Sequence, residues 1–446
     1  MHDDSSSSKD TAGSHCPSIA EIAASLSTGR TASSTLIHWL EGCAICRENW
    51  RTLKRWAEEV GYPDWSVVVE ERPLAHQLWG QLENVPTHRL KATIGGNHYF
   101  WAMASLLIRQ SEEAQCMEPA RAIALAESAA AIATILAPGR YAQRPQADLR
   151  GRAWVAVGEA RRAAGAVAEA EQATLEALRC FKKGRGSALD QGRSVHLLGQ
   201  LRKDQRRFSE AREAFEQAER LFLEADRKDL AGGVYLHLAA LVELDGDTEG
   251  AIAYLTQAQA AIDPDRQRAL YAACQQKLLF HLTRAGHYAE AEIRLPVTRR
   301  LWAELGHLEN LTLVHWIQGQ MLQGKGDHEA ALETYRDVVV RFQRQRIDYW
   351  AAVVQLDIAS TLAAAGQGER ARTAARQAVD TLEKIEVSHE ARTALSFLKA
   401  AAEESQLSDR GPRAVADFIR QLRLDPMAKF VPPTGEGPRG LTPGAP

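Results

Sequence analysis

Residues Val195 to Ala218 read VHLLGQLRKDQRRFSEAREAFEQA, and this stretch decides the fold. Apolar residues recur at three- and four-residue intervals on both sides of a polar run, Arg202 to Arg207, which is the pattern of two helices joined by a turn. Gly199 on the first helix and Ala211 and Ala218 on the second are small, whereas Leu198 and Phe215 are large. Small slots let two helices approach closely, and large side chains fill the space between their turns.

The same slots recur outward along the chain. Ala170, Ala211, Ala251, Ala291, Ala331 and Ala371 follow one another at an almost constant interval. Five residues before each comes Gly165, Gly246, Gly286, Gly326 or Gly366, with Arg206 the exception. Twelve before come Gly158, Gly199, Ala239, Leu279, Gly319 and Ala359. Four after come Thr174, Phe215, Leu255, Leu295, Tyr335 and Ala375. Glycine at the turn predicts a left-handed cap, which residues with a Cβ adopt at a cost. One hairpin cannot bury its own apolar face, so self-similarity at this period predicts stacked neighbours.

Trp154-x2-Val157-Gly158 with Ala170 and Ala177, and Val195-x2-Leu198-Gly199 with Ala211, Phe215 and Ala218, resemble tetratricopeptide repeats. The usual unit of that family is about 34 residues, so the present one is longer by about six, in its helices or its turns. Lengthened repeats of this kind resemble those of bacterial regulatory and sensor proteins. The resemblance covers residues 152 to 385 and extends to a degenerate leading hairpin at 97–136, with Trp101, Ala104, Ser105 and Ala122. It implies an all-α fold, an α-solenoid of six to seven tetratricopeptide-like helical hairpins with a small helical N-terminal domain. The expected layout is a disordered tail at 1–14 and a small helical domain at 15–60, then a connecting segment at 61–96 and the leading hairpin at 97–150. Six repeats follow at 151–388, then closing helices at 389–424 and a Pro- and Gly-rich disordered tail at 425–446.

In the family the first helix of each hairpin lines a concave, partner-binding face. Carried over, its slots hold Arg152, Glu159, Arg193, His196, Gln200, Lys203, Gln276, Phe280, Trp316 and Gln320. Basic and amide groups come first and aromatics later, a mixture suited to a protein or peptide with an acidic end and an apolar anchor.

The segment up to residue 101 does not follow the repeat. It holds six of the ten Trp and three of the six Cys. His38, Cys43 and Cys46 lie close in sequence, and Cys16 precedes a helical pattern. Two thiolates at C-x2-C suit Zn²⁺, and a His nitrogen and a third thiolate complete a tetrahedral set. The arrangement resembles the zinc-binding domain of bacterial anti-sigma factors, and by that resemblance Cys16, His38, Cys43 and Cys46 would hold one structural zinc. Here four residues rather than three separate His38 from Cys43, and Gly42 ends the helix where the extra residue must be absorbed. His15 is an alternative fourth ligand; the bland reading makes these cysteines small buried core residues. A zinc hairpin would support an alternative function, binding of a sigma factor.

A formal charge of −3 gives no electrostatic case for nucleic acid. The N-terminal residues show no basic and apolar pattern of a signal peptide, and no apolar run is long enough for a membrane, so a cytoplasmic protein with reduced thiols is expected. No phosphate-binding loop, H-E-x-x-H or nucleophile elbow occurs, so no enzyme is expected. Acidic residues fall mostly in helical registers expected to face solvent.

Overall fold

The computed structural model describes residues 16–27, 44–60, 64–95, 98–115, 117–137, 139–385, 389–403, 408, 410–424 and 428–433. Every regular element among them is helical, apart from an isolated bridge residue at Tyr141. The chain divides into two compact units, Met1–Ala225 and Asp226–Pro446.

Unit 1 begins with α1 (Ile19–Ser27), α2 (Ala44–Val60), α3 (Trp65–Leu82) and α4 (Thr87–Thr93). Three hairpins follow: α5 (Trp101–Ala114) with α6 (Pro119–Ile135), α7 (Gln143–Ala163) with α8 (Val167–Lys183), and α9 (Ala188–Asp204) with α10 (Phe208–Glu224). Unit 2 holds four more: α11 (Lys228–Leu244) with α12 (Thr248–Ala261), α13 (Arg268–Ala285) with α14 (Tyr288–Glu304), α15 (Leu308–Gly324) with α16 (His328–Arg344), and α17 (Asp348–Ala364) with α18 (Gly368–Lys384). It ends in α19 (His389–Glu403) and α20 (Arg410–Leu424). Within each unit hairpins stack in chain order, the arrangement of a helical-repeat fold.

The period is explained by helix length. α9, α10, α11 and α14 to α18 are each 17 residues long, and three-residue turns join most of them. The residues beyond the family's usual unit therefore lie in the helices, and the turns stay short. Gly165, Gly246, Gly286, Gly326 and Gly366 all have φ between 75 and 84°. Arg206 takes the same left-handed place at φ 66°, so the exception in sequence is not one in backbone. Arg207 N–H closes that turn on the Arg202 carbonyl at 2.8 Å, as His287 N–H does on Leu282 at 2.9 Å.

All six repeat alanines are fully buried, and their neighbours show why. A Cβ on Gly199 would stand 2.7 Å from the Phe215 ring, and one on Gly319 2.6 Å from Tyr335. At Gly199 and Gly319, glycine on the first helix thus accompanies an aromatic ring on the second, whereas Gly158 meets Thr174 and Leu197. Where the first helix has Ala239, the second has Leu255, and both are buried. A further register of the same kind lies seven residues earlier: Gly151 receives Phe181, Gly192 receives Phe222, and Gly232 receives Ile262.

Residues 64–95, within the segment expected to connect two domains, contain α3 and α4. Asp64 caps α3 by accepting from the Ser66 N–H at 3.0 Å, and the helix accommodates Pro73. Its buried face carries Val67, Val68, Ala75, Leu82 and the carboxylate Glu71. Glu71 is 2% exposed and accepts from the Ala102 N–H at 3.1 Å and the Tyr141 hydroxyl at 2.6 Å, with Arg140 3.0 Å away. A few carboxylates are buried, against the majority that face solvent. Asp148 is fully buried and accepts from the Arg185 backbone N–H at 3.1 Å and its Nε at 2.6 Å. Asp357 is 4% exposed. Each has guanidinium and N–H partners distant in sequence, which offset the cost of burying a carboxyl group.

The last helix does more than close the stack. α20 packs on α17 and α19, burying Val415, Ala416, Phe418, Ile419 and Leu422. The Tyr349 hydroxyl donates to the Ile419 carbonyl at 3.3 Å, and Phe430 meets Phe397 and Phe418.

Candidate functional site

In unit 2 the first helices α11, α13, α15 and α17, with α20, enclose a cavity of about 380 Å³. Glu243, Gln276, Lys277, Phe280 and His281 come from the first two of these helices. Leu313, Trp316, Ile317, Gln320, Trp350 and Arg420 complete it. Gln276, Phe280, Trp316 and Gln320, the four slots of unit 2 named from sequence, all line this space. Slots at equal phase in successive repeats fall side by side when hairpins stack, which is what brings them together.

Trp316 is held as a fixed wall. It is 5% exposed, its Nε1 donates to Asp357 Oδ2 at 2.7 Å, and its ring meets Trp350 at 5.5 Å and Phe342 at 6.2 Å. Arg420 lies 4.8 Å from the Trp316 ring and donates to Asp357 at 2.5 Å and Asp417 at 2.8 Å. Burial works against the Arg420 charge, but Asp357 and Asp417 outweigh it and hold the guanidinium above its ordinary value. The wall is thus a buried ion pair stacked on an aromatic face.

A smaller cavity of about 190 Å³ adjoins the first, sharing Phe280, Gln320 and Arg420. It is lined by polar groups including Thr248, Arg284, Tyr288, Gln323 and Asp417. Within the lining of the larger cavity His281 Nε2 is 3.6 Å from Glu243 Oε2. Burial raises the Glu243 carboxyl, but His281 and then Lys277 and Arg284 overcome this and hold it below its usual value.

Unit 1 presents the remaining groove slots on α7 and α9. Arg152 is half-buried with its guanidinium 6.0 Å from the Trp101 ring; burial lowers it, opposed by Asp190. His196 sits against Phe215 at 5.8 Å and Phe222 at 6.2 Å, with Gln200 Nε2 3.4 Å from its Nε2. Burial, then Arg162 and Lys203, push His196 down to about 4, so it is neutral at physiological pH. Arg193 acts on Glu112, Glu159 and Asp190 together. Burial and then Glu112 push Glu159 up to about 7. The basic character expected here from Arg152, Arg193 and Lys203 is therefore offset by three carboxyl groups, of which sequence reading named only Glu159.

Of the zinc set, His38 and Cys43 lie outside the described residues, as does His15. Cys16 is half-buried and Cys46 buried. Among the described residues no group of three His, Cys, Asp or Glu is arranged to hold a metal, and no helix is long and apolar enough to cross a membrane.

No protein-family model and no curated protein matches this sequence. The fold is similar to that of a Rap protein complexed with Competence and Sporulation Factor, at 12% identity and TM-score 0.50, over 72% of this chain and 87% of that one. Aspartyl phosphate phosphatase F from Bacillus subtilis is similar at 12% identity and TM-score 0.45, over 72% and 84% of the two chains. The APC/C hetero-tetramer Cut9-Hcn1 is similar at 13% identity and TM-score 0.40, over 92% and 87%. At such identities the likeness is one of fold, a stack of helical hairpins.

Proposed function

We propose that this chain is a non-catalytic interaction protein that captures a protein or peptide partner, and that the larger cavity of unit 2 takes an apolar side chain of that partner. The observation that carries the reading is the cavity itself. Its volume lies in the range of specific ligand sites, its walls are mostly aromatic and aliphatic, and a few polar groups converge on it. Pre-formed aromatic walls such as Trp316 and Trp350 need no ordering when a partner docks, which favours affinity. The fold-level likeness to a Rap protein complexed with Competence and Sporulation Factor supports a proteinaceous ligand.

Selection of displayed random peptides against the full chain tests this. Enriched peptides should bind Ile317→Trp, which fills the cavity, at least about tenfold more weakly than the wild type. They should bind a variant altered on the solvent face of α14, Arg300→Glu, unchanged. Peptides that bind both variants and the wild type equally would remove the cavity from the reading.

We also propose one structural zinc at Cys16, His38, Cys43 and Cys46. What supports it is a tether: the Asn49 side-chain amide donates to the Pro17 carbonyl at 3.0 Å, joining the residue beside Cys16 to the helix that carries Cys46. The sigma-factor alternative depends on that site and shares its test.

A further inference from the structure

The repeat assigns every residue of a hairpin a slot, and one slot of unit 2 departs from the others. Ten residues before the repeat alanines stand Ala160, Leu201, Leu241, His281, Met321 and Thr361. The first three and Met321 are buried apolar side chains, and the Thr361 hydroxyl donates to the Asp357 carbonyl at 2.7 Å. His281 is 3% exposed, yet its Nδ1 has no hydrogen-bond partner among the described residues. A buried polar atom left unsatisfied, in a slot whose other side chains are apolar or, as at Thr361, satisfied within the helix, is the kind of local inconsistency that marks a site.

The chemistry of the two ring nitrogens identifies what is missing. Where the ring N–H is on Nε2, which faces Glu243 at 3.6 Å, the other imidazole nitrogen, Nδ1, is an acceptor. Gln276 Oε1, on the same helix, is a second buried acceptor without a partner. Both residues line the larger cavity. Two acceptors call for donors. A cation is not favoured, because Lys277 already acts on the Glu243 carboxylate. An anion would set further acceptors against these two and against Glu243. Neutral donors remain, and the N–H groups of a docked peptide are the ones the reading above supplies.

We propose that Gln276 Oε1 and His281 Nδ1 read amide N–H groups of an extended peptide whose adjoining apolar side chain lies among Phe280, Leu313 and Ile317. This rests on the docking reading above and adds to it that recognition depends on main-chain donors beside the anchor, and so discriminates against ligands of equal bulk that lack them.

Two probes separate the ideas: N-acetyl-L-phenylalaninamide, and its analogue with every amide N–H replaced by N-methyl. Each is titrated into the full chain by ligand-observed saturation-transfer NMR, with tryptophan fluorescence as a second readout. The N–H probe should bind about tenfold more tightly than the methylated one, the scale of one to two hydrogen bonds. Gln276→Met and His281→Phe should each narrow that gap while keeping binding of the methylated probe. Gln276 is only half-buried, so its variant carries the test should His281→Phe fail to fold. Equal affinity of the two probes for the wild type, or an undiminished gap in Gln276→Met, would overturn the donor-reading assignment and leave solvent as the partner of these atoms. Binding of neither probe, or full binding of both to Ile317→Trp, would overturn the docking reading itself.

Discussion

Replacing Gly319 by alanine adds one methyl group at a close helix–helix contact of unit 2, and its effect can be worked out in sign. The new Cβ would stand 2.6 Å from Tyr335 Cε1 and 2.7 Å from Cδ1, well inside the roughly 3.5–4.0 Å of an ordinary carbon contact. Tyr335 cannot swing aside freely, because it is fully buried and its hydroxyl donates to Gln323 Oε1 at 2.8 Å. Overpacking of this kind costs about 1–3 kcal/mol, while alanine in place of glycine within a helix recovers about 1 kcal/mol. The net is a loss of up to about 2 kcal/mol. Gly233, inside α11, has nothing within 4 Å of its virtual Cβ, so Gly233→Ala should gain the helical term alone. For a unit of this size each kcal/mol moves the melting temperature by about 2–4 °C, so calorimetry should show the two variants shifting in opposite directions. Adding Tyr335→Leu to Gly319→Ala recreates the Ala239 and Leu255 combination found two repeats earlier, and should restore part of the loss. A Gly319→Ala protein as stabilised as Gly233→Ala would refute the size-matching of these slots.

Three further outcomes are expected. Glu71→Ala should destabilise unit 1 by about 1–3 kcal/mol, since it removes the acceptor of the buried Ala102 N–H and Tyr141 hydroxyl, while half-exposed Arg140 keeps water and Glu70; an unchanged urea midpoint would contradict the buried network. Glu159 binds its proton more tightly in the folded chain than in the unfolded one, so unit 1 should lose stability as pH rises from about 4.5 through about 7. Melting curves of Glu159→Gln should show a shallower fall over that window, and an identical slope would show that its carboxyl is not desolvated. Protein purified without chelator should carry about one zinc per chain, which Cys43→Ser removes and Cys180→Ser does not; metal analysis near zero would make these cysteines core residues.

The fold was legible because its constraint is local and repeated. Each hairpin must present an alanine to its partner helix and a left-handed residue at its turn, and both return in plain view with every repeat. Arg206 shows the limit of that reading, since its backbone obeys the rule while its identity hides it. α3 escaped because Pro73 and Glu71 interrupt the apolar pattern that signals a core-facing helix. Buried carboxylates escaped for a different reason. Glu71 meets Tyr141 across 70 residues, and Asp357 meets Arg420 across 63, so no local spacing announces either pair. Gln276, Phe280, Trp316 and Gln320 could be named from slot position, but their enclosure by α20 could not. His281 was readable in principle, as a histidine in a slot that elsewhere holds Leu201, Leu241 and Met321.

Ten successive helices, from α9 to α18, begin at equal intervals, at Ala188, Phe208, Lys228 and so on to Gly368. That regularity makes the gene behind the chain tolerant of unequal crossing-over. A recombination between equivalent codons of neighbouring hairpins would delete or duplicate one whole hairpin and still join a helix end to a turn of the same conformation. Length would then be a freely inherited variable, were it not for the C-terminal helix. Arg420 joins Asp357 on α17 and Trp316 on α15, so the last two hairpins and α20 must be inherited as one block. A hairpin gained or lost before Leu308 would spare the Arg420 wall but change the opposing lining that α11 and α13 supply to the cavity.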